Sequence, residues 1–183
     1  MTASPRLAVL IAVFGLGLAA APAAQAMTGA CLWDHLRSET RNALIRGYLR
    51  DGPDVLDRVY VSDEEFDAID SACDGRRTDE RLKERLLAAV VFEHGSAVYL
   101  KQRLGWRDDD IQRAWERMAP DSLAMLRRSA DTILDEMDPI NDELSSPVRA
   151  FLGTHPDEDP PLADQARGYL TSRAMREAIE RRG

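Results

Sequence analysis

Lysine is nearly missing from this chain. Lys83 and Lys101 are its only two, and arginine supplies the rest of the 24 basic residues. Positive charge as a whole is in deficit, because 32 acids leave a formal charge of −8. Nucleic acids and anionic bilayers are gripped through basic patches that meet phosphates and release counterions. This balance excludes both as expected partners.

Histidine is confined to His35, His94 and His155, none of which has another histidine at i,i+4. That removes the helical histidine pair of many zinc sites. Asp70-Ser71-Ala72-Cys73-Asp74-Gly75 opens like a calcium loop, but the third-position acid is missing and Arg81 stands where a bidentate Glu belongs. The acidic runs Asp108-Asp109-Asp110 and Asp157-Glu158-Asp159 read as helix capping and solvated surface. No metal is therefore expected. The chain also has no Gly-x-Ser-x-Gly, no phosphate-binding Walker loop and no Gly-x-Gly-x-x-Gly. No cofactor is expected. With so many acids, no carboxylate pair stands out as a glycosidase couple.

Strand signals are equally scarce. Only Val59-Tyr60-Val61 interrupts a chain that otherwise repeats every three to four residues.

What is present begins with a leader. Arg6 gives a positive start, Leu7 to Ala21 is unbroken apolar and small, Pro22 ends the run, and Ala24-Gln25-Ala26 offers small residues for signal peptidase. The run of 15 residues is shorter than the ~20 a spanning helix needs. We expect residues 1–26 to be a cleaved secretory signal peptide. The remaining 27–183 is then a single domain with no membrane span, placed in the periplasm or secreted. The leader holds one Arg and no acid, so the mature chain carries −9. Lipid anchoring at Cys31 is disfavoured, because Thr28 occupies the position of a large apolar residue and Cys31 lies well beyond the apolar run.

Cys31 and Cys73 are the only cysteines. In an oxidising compartment an even count implies a bridge. Cys73 follows Ile69 by four and Phe66 by seven, on the apolar face of its helix, and Cys31 adjoins Leu32 and Trp33. We expect a structural disulfide that closes a loop of a little over 40 residues and contributes about 4 kcal/mol.

The fold expected is all-α: one compact bundle of about six or seven helices around a long buried central helix, about 79–104. The first helix runs from Ser38 to Arg50. The second is opened by Ser62 and Glu65 as a capping box, with Val61 and Phe66 as a hydrophobic staple. Thr78 should cap the central helix and Gly105 should end it. Its middle, Leu86 to Phe92, is apolar on every side, the mark of a buried helix. Asp108 caps a short helix, Pro120 opens another that Asp138-Pro139 ends, a short segment spans Val148 to Leu152, and Leu162 to Arg181 closes the chain. This last helix is expected to dock less firmly than the others.

Glu93-His94 follows the apolar run of the central helix. A buried charge must be paired or neutralised. One reading is an acid/base or ligand site with shifted pKa values. The other is a core pair in which an Arg from another helix answers Glu93. Gly95-Ser96-Ala97 beside it suits close helix packing. Among the tryptophans, Trp115 sits on a core stripe, while Trp106, in the turn from Gly105 to Asp108, is the candidate exposed aromatic for ligand binding. Functionally, the expectation is a non-catalytic envelope protein acting through protein–protein interaction with another envelope protein. The alternative is a small-ligand or ion-binding module, or a hydrolase, centred on Glu93/His94.

Overall fold

The computed structural model describes residues 27–73, 78–136, 144–154 and 156–182. The expected leader, the expected helix end at Asp138-Pro139, residues 74–77 and His155 lie outside the described residues. Eight α-helices are seen among them: α1 (Gly29–His35), α2 (Ser38–Asp51), α3 (Asp63–Ala72), α4 (Glu80–Leu104), α5 (Asp108–Glu116), α6 (Pro120–Glu136), α7 (Ser145–Leu152) and α8 (Pro160–Arg182). Short 3-10 turns occupy Gly52–Asp57 and Pro156–Glu158. The all-α bundle around a long central helix is as expected. No strand occurs among the described residues; Val59 lies in a bend whose amide donates to the Val55 carbonyl, and Tyr60 and Val61 are irregular.

The additional helix is α1. Thr28 Oγ1 accepts from the Cys31 amide at 3.1 Å, and a Glu180 carboxylate oxygen accepts from the Gly29 amide at 2.8 Å. One side chain and one distant acid thus satisfy the first free N–H groups of a very short helix. Cys31 and Cys73 are joined, tying α1 to the end of α3 with Cα atoms 5.9 Å apart.

The helix starts depart from expectation in instructive ways. Ser62 Oγ accepts from the Glu65 amide at 3.2 Å, but the Glu65 carboxylate does not return to Ser62. It turns outward to the start of α2 and accepts from the Arg37 amide at 2.6 Å and the Thr40 hydroxyl at 3.0 Å. Only 4 % exposed, Glu65 is a buried acid spent on joining two helices. Asp79, not Thr78, caps α4 by accepting from the Arg81 amide. Asp108 does not cap α5. Arg107 sits at that position, and the Asp110 carboxylate reaches back to its amide at 2.8 Å.

α4 runs through the middle, with Leu86, Ala89, Val90, Val91 and Leu100 buried. Its firmest neighbour is α8, which corrects the expectation of loose docking. Leu162, Ala163, Ala166, Tyr169, Leu170, Ala174, Ala178 and Ile179 of α8 are all buried. Small residues on several faces let α8 sit close to α4, α6 and α7 at once, a mode of burial that a search for large apolar stripes overlooks. Where α2 crosses, Gly95 makes room for the Tyr48 ring, since a Cβ there would come within 2.6 Å of Tyr48 Cγ. The Tyr48 hydroxyl meets Ser96 Oγ at 2.8 Å, and Gln165 of α8 accepts from both at 3.3 Å. The Gly95-Ser96-Ala97 run thus serves packing. Lys83 bridges α3 and α4 through Asp70 at 2.5 Å while only 5 % exposed.

Candidate functional site

Glu93 and His94 occupy adjacent positions on α4, about 100° apart around the helix. Both still line one half-open cleft of ≈ 350 Å³, together with Asp108, Gln112, Tyr169, Arg173 and Arg176 among others. α4, α5 and α8 form its walls. A smaller hollow of ≈ 220 Å³ beside Gly29 and Ala30 also reaches both residues.

Glu93 finds the arginine that the core-pair reading required. Arg176 Nε donates to Glu93 Oε2 at 2.6 Å and Nη2 to Oε1 at 3.3 Å, a bidentate clamp between α4 and α8. Arg176 Nη1 meanwhile holds both carboxylate oxygens of Glu180 at 3.1 Å, and Glu180 holds the Gly29 amide. The four groups form one network joining three helices. Burial opposes the Arg176 charge, but Glu93 and Glu180 outweigh it and raise the pKa. Glu93 has both oxygens engaged with a permanent cation, a poor arrangement for a general base.

His94 follows the apolar run but does not share its burial. It is exposed, and its ring lies flat on Trp33 of α1, with centroids 4.0 Å apart and planes 10° from parallel. Desolvation against that packed surface, then the Arg176 and Lys101 cations, push its pKa down to about 4. The direction leaves the imidazole neutral at pH 7.

Of the other charges of the cleft, Asp109 is exposed with no ion-pair partner among the described residues, while Arg173 and Asp108 are answered. Arg173 donates from Nη1 to the Tyr169 hydroxyl at 2.8 Å and from Nε to Glu177 at 3.3 Å, and its guanidinium lies 4.4 Å above the Trp115 ring. Asp108 holds Lys101 at 2.9 Å. Among the described residues lining the cleft there is no Ser, Thr or Cys to act as nucleophile. Trp106 does not line it. That ring is half-buried, edge-on to Phe151 at 5.6 Å, because α7 packs over the turn that looked exposed in sequence. Trp115 is half-buried rather than fully in the core, with the Arg173 guanidinium over one face of its ring.

A second depression, of ≈ 450 Å³, lies elsewhere and was not anticipated. Leu56, Val59, Val61, Phe66 and Leu87 line it with the exposed Tyr60, and Asp57 and Glu84 line it as well. It lies beside the irregular segment between the 3-10 turn and α3, where Val61 is buried at 6 % while Tyr60 is 76 % exposed. The Tyr60 hydroxyl donates to Asp63 at 2.9 Å, which fixes the ring in place. From residue 51 to residue 72 the sequence holds eight acids and one base. Asp54, Asp57, Asp67 and Glu84 are exposed and have no ion-pair partner among the described residues.

Set against protein-family models, curated proteins and solved structures, the chain matches none of them.

Proposed function

We propose that this chain is a non-catalytic exported protein of the cell envelope that binds another envelope protein. The binding surface is the Tyr60 groove, and the partner segment carries an apolar or aromatic side chain flanked by Lys or Arg. The observation that carries this reading is the large exposed Tyr60 ring, held in place beside apolar lining residues within the most acidic stretch of the chain. Interface anchors are typically aromatic. Uncompensated acids beside an anchor, here Asp57 and Glu84, favour cationic partners and steer their approach. The leader, the bridge and the lack, among the described helices, of one long and apolar enough to cross a membrane support the periplasm as the place of action.

The test is a photo-crosslinking amino acid at position 60 in growing cells, followed by mapping of the crosslinked segment. The expected segment is basic with an apolar anchor. As a synthetic peptide it binds the purified protein at least about tenfold more weakly after Tyr60→Ser, and more weakly at high salt. No crosslink at position 60, an acidic segment, or binding indifferent to Tyr60→Ser overturns the proposal.

The ≈ 350 Å³ cleft beside His94 supports a second reading, a site for a small polar ligand. It is the weaker one, because the cleft's principal charges are engaged with one another. A ligand whose binding is abolished by Gln112→Ala, with Tyr60→Ser neutral, would favour it.

A further inference from the structure

His35 stands where both cysteines meet. Its Nδ1 lies 3.6 Å from Cys31 Sγ and 3.7 Å from Cys73 Sγ, and the three possible ligand atoms all fall within 4.8 Å of one another. A tetrahedral zinc centre, with metal–sulfur distances of ~2.3 Å and metal–nitrogen distances of ~2.0–2.1 Å, places sulfur and nitrogen about 3.6 Å apart. Both sulfur–nitrogen distances match that separation. We propose that the dithiol form of Cys31 and Cys73, together with His35, binds one borderline-soft divalent cation such as Zn²⁺, so that metal binding and bridge formation exclude each other.

Cys31 and His35 are one turn apart on α1, and Cys73 enters from the end of α3. Both sulfurs are buried, at 6 % and 0 %, whereas His35 is exposed. A thiolate pair in so dry a place needs a cation beside it. The exposed side leaves the fourth coordination position to water. In the bridged form Nδ1 lies 2.9 Å from the Cys31 carbonyl oxygen and donates its proton there. On metal binding that proton moves to Nε2 and the Nδ1 lone pair turns to the cation.

The chain passes through the dithiol form on export, before any oxidant reaches it. It can return when a dithiol reductant supplies two electrons and two protons and itself becomes a disulfide. Binding the metal then expels the two thiol protons. A disulfide oxidant takes two electrons from the metal-bound thiolates and, with two protons from water, becomes a dithiol, while the Cys31–Cys73 sulfur–sulfur bond forms and the cation is released. The proposal is independent of the Tyr60 groove.

The test uses the full mature chain, reduced with a phosphine under anaerobic conditions and titrated with Co²⁺. One equivalent should produce thiolate-to-cobalt charge transfer and the intense visible bands of a tetrahedral centre, and Zn²⁺ should bleach them. The bridged protein should show neither. His35→Gln should weaken binding at least about tenfold. If reduction lowers the helicity, the metal should restore it. A second measurement holds whatever the fold does: stoichiometric Zn²⁺ should protect both thiols from a disulfide oxidant. An octahedral cobalt spectrum, equal affinity in His35→Gln, or thiols oxidised at the same rate with and without Zn²⁺ each overturns the proposal.

Discussion

Glu93→Ala tests whether the charge in the middle of α4 is structural. The variant deletes two hydrogen bonds from Arg176, of 2.6 and 3.3 Å, between side chains only 15 % and 21 % exposed. Orphaning a buried ion completely costs roughly 3–5 kcal/mol. Arg176 is not orphaned, because Glu180 still meets it through both oxygens. The expected loss is therefore the charge-assisted bonds alone, about 2–3 kcal/mol. In a chain of this size that lowers Tm by roughly 5–10 °C. Arg176→Met should cost more, since it strips Glu93 and Glu180 together and loosens Glu180 from the Gly29 amide that starts α1. Urea unfolding of wild type, both single variants and the double variant closes the cycle, with a coupling energy of about 1–3 kcal/mol. A Glu93→Ala variant as stable as wild type, or more so, would refute this reasoning. Residues that serve a site are commonly held at a cost to stability, and the cleft would then have to be read as that site.

Glu65→Ala should destabilise by about 2–3 kcal/mol in urea, because a buried acid leaves the start of α2 uncapped, whereas Glu64→Ala, on a pair 87 % exposed at Glu64, should change little. His94 binds a proton less readily folded than unfolded, so its contribution to stability is complete above about pH 6.5 and is lost as pH falls toward about 4; the drop in Tm across that window should shrink in His94→Gln, and an unchanged drop would count against the shift. Gly95→Ala gains about 1 kcal/mol of helix propensity, yet its Cβ would meet Tyr48 Cγ at 2.6 Å, so calorimetry should show a net loss of about 1–3 kcal/mol from overpacking. Replacing Cys31 and Cys73 together by Ala, which opens a sequence separation of 42, should remove about 4 kcal/mol of stability.

Much of this architecture can be read from period and punctuation. Leu86 to Phe92 marks the buried helix, Gly105 ends it in the left-handed region at φ 68°, and Pro120 opens α6. What escapes that reading depends on partners distant in sequence. α1 is too short to show a period, and it is held by Glu180, 151 residues away, and by the bridge. α8 looks weak because its buried face is largely alanine and serine, which pack by close approach rather than by bulk. At the candidate site, a charge interrupting an apolar run implied an arginine partner, but nothing local selects Arg176 among so many arginines. The Trp33 ring over His94 joins two helices with no sequence signal at all. Tyr60 was visible only as the middle of a strand-like triplet. It is exposed while its neighbour Val61 is buried, and no strand among the described residues pairs with the segment.

The two depressions differ most in how their charges are satisfied, and that difference argues for where the molecule meets its partner. In the cleft, Glu93, Arg176, Glu180, Arg173, Glu177, Asp108 and Lys101 are mutually paired. A ligand that contacts these groups must break an existing pair for each such ionic contact, so only the difference between old and new partners remains as binding energy; Asp109 alone on that wall is exposed and unpaired. At the Tyr60 groove Asp57 and Glu84 have no such partners, and with the exposed Asp54 and Asp67 nearby in sequence they make the local charge negative. A cationic partner meets that charge and breaks no internal pair. The apolar residues lining the groove supply the burial that charge alone does not. Adding salt screens exposed acids more than half-buried pairs. It should therefore weaken binding at the groove while leaving the Glu93–Arg176 contribution to stability largely intact, and one ionic-strength series on the wild-type protein reads both.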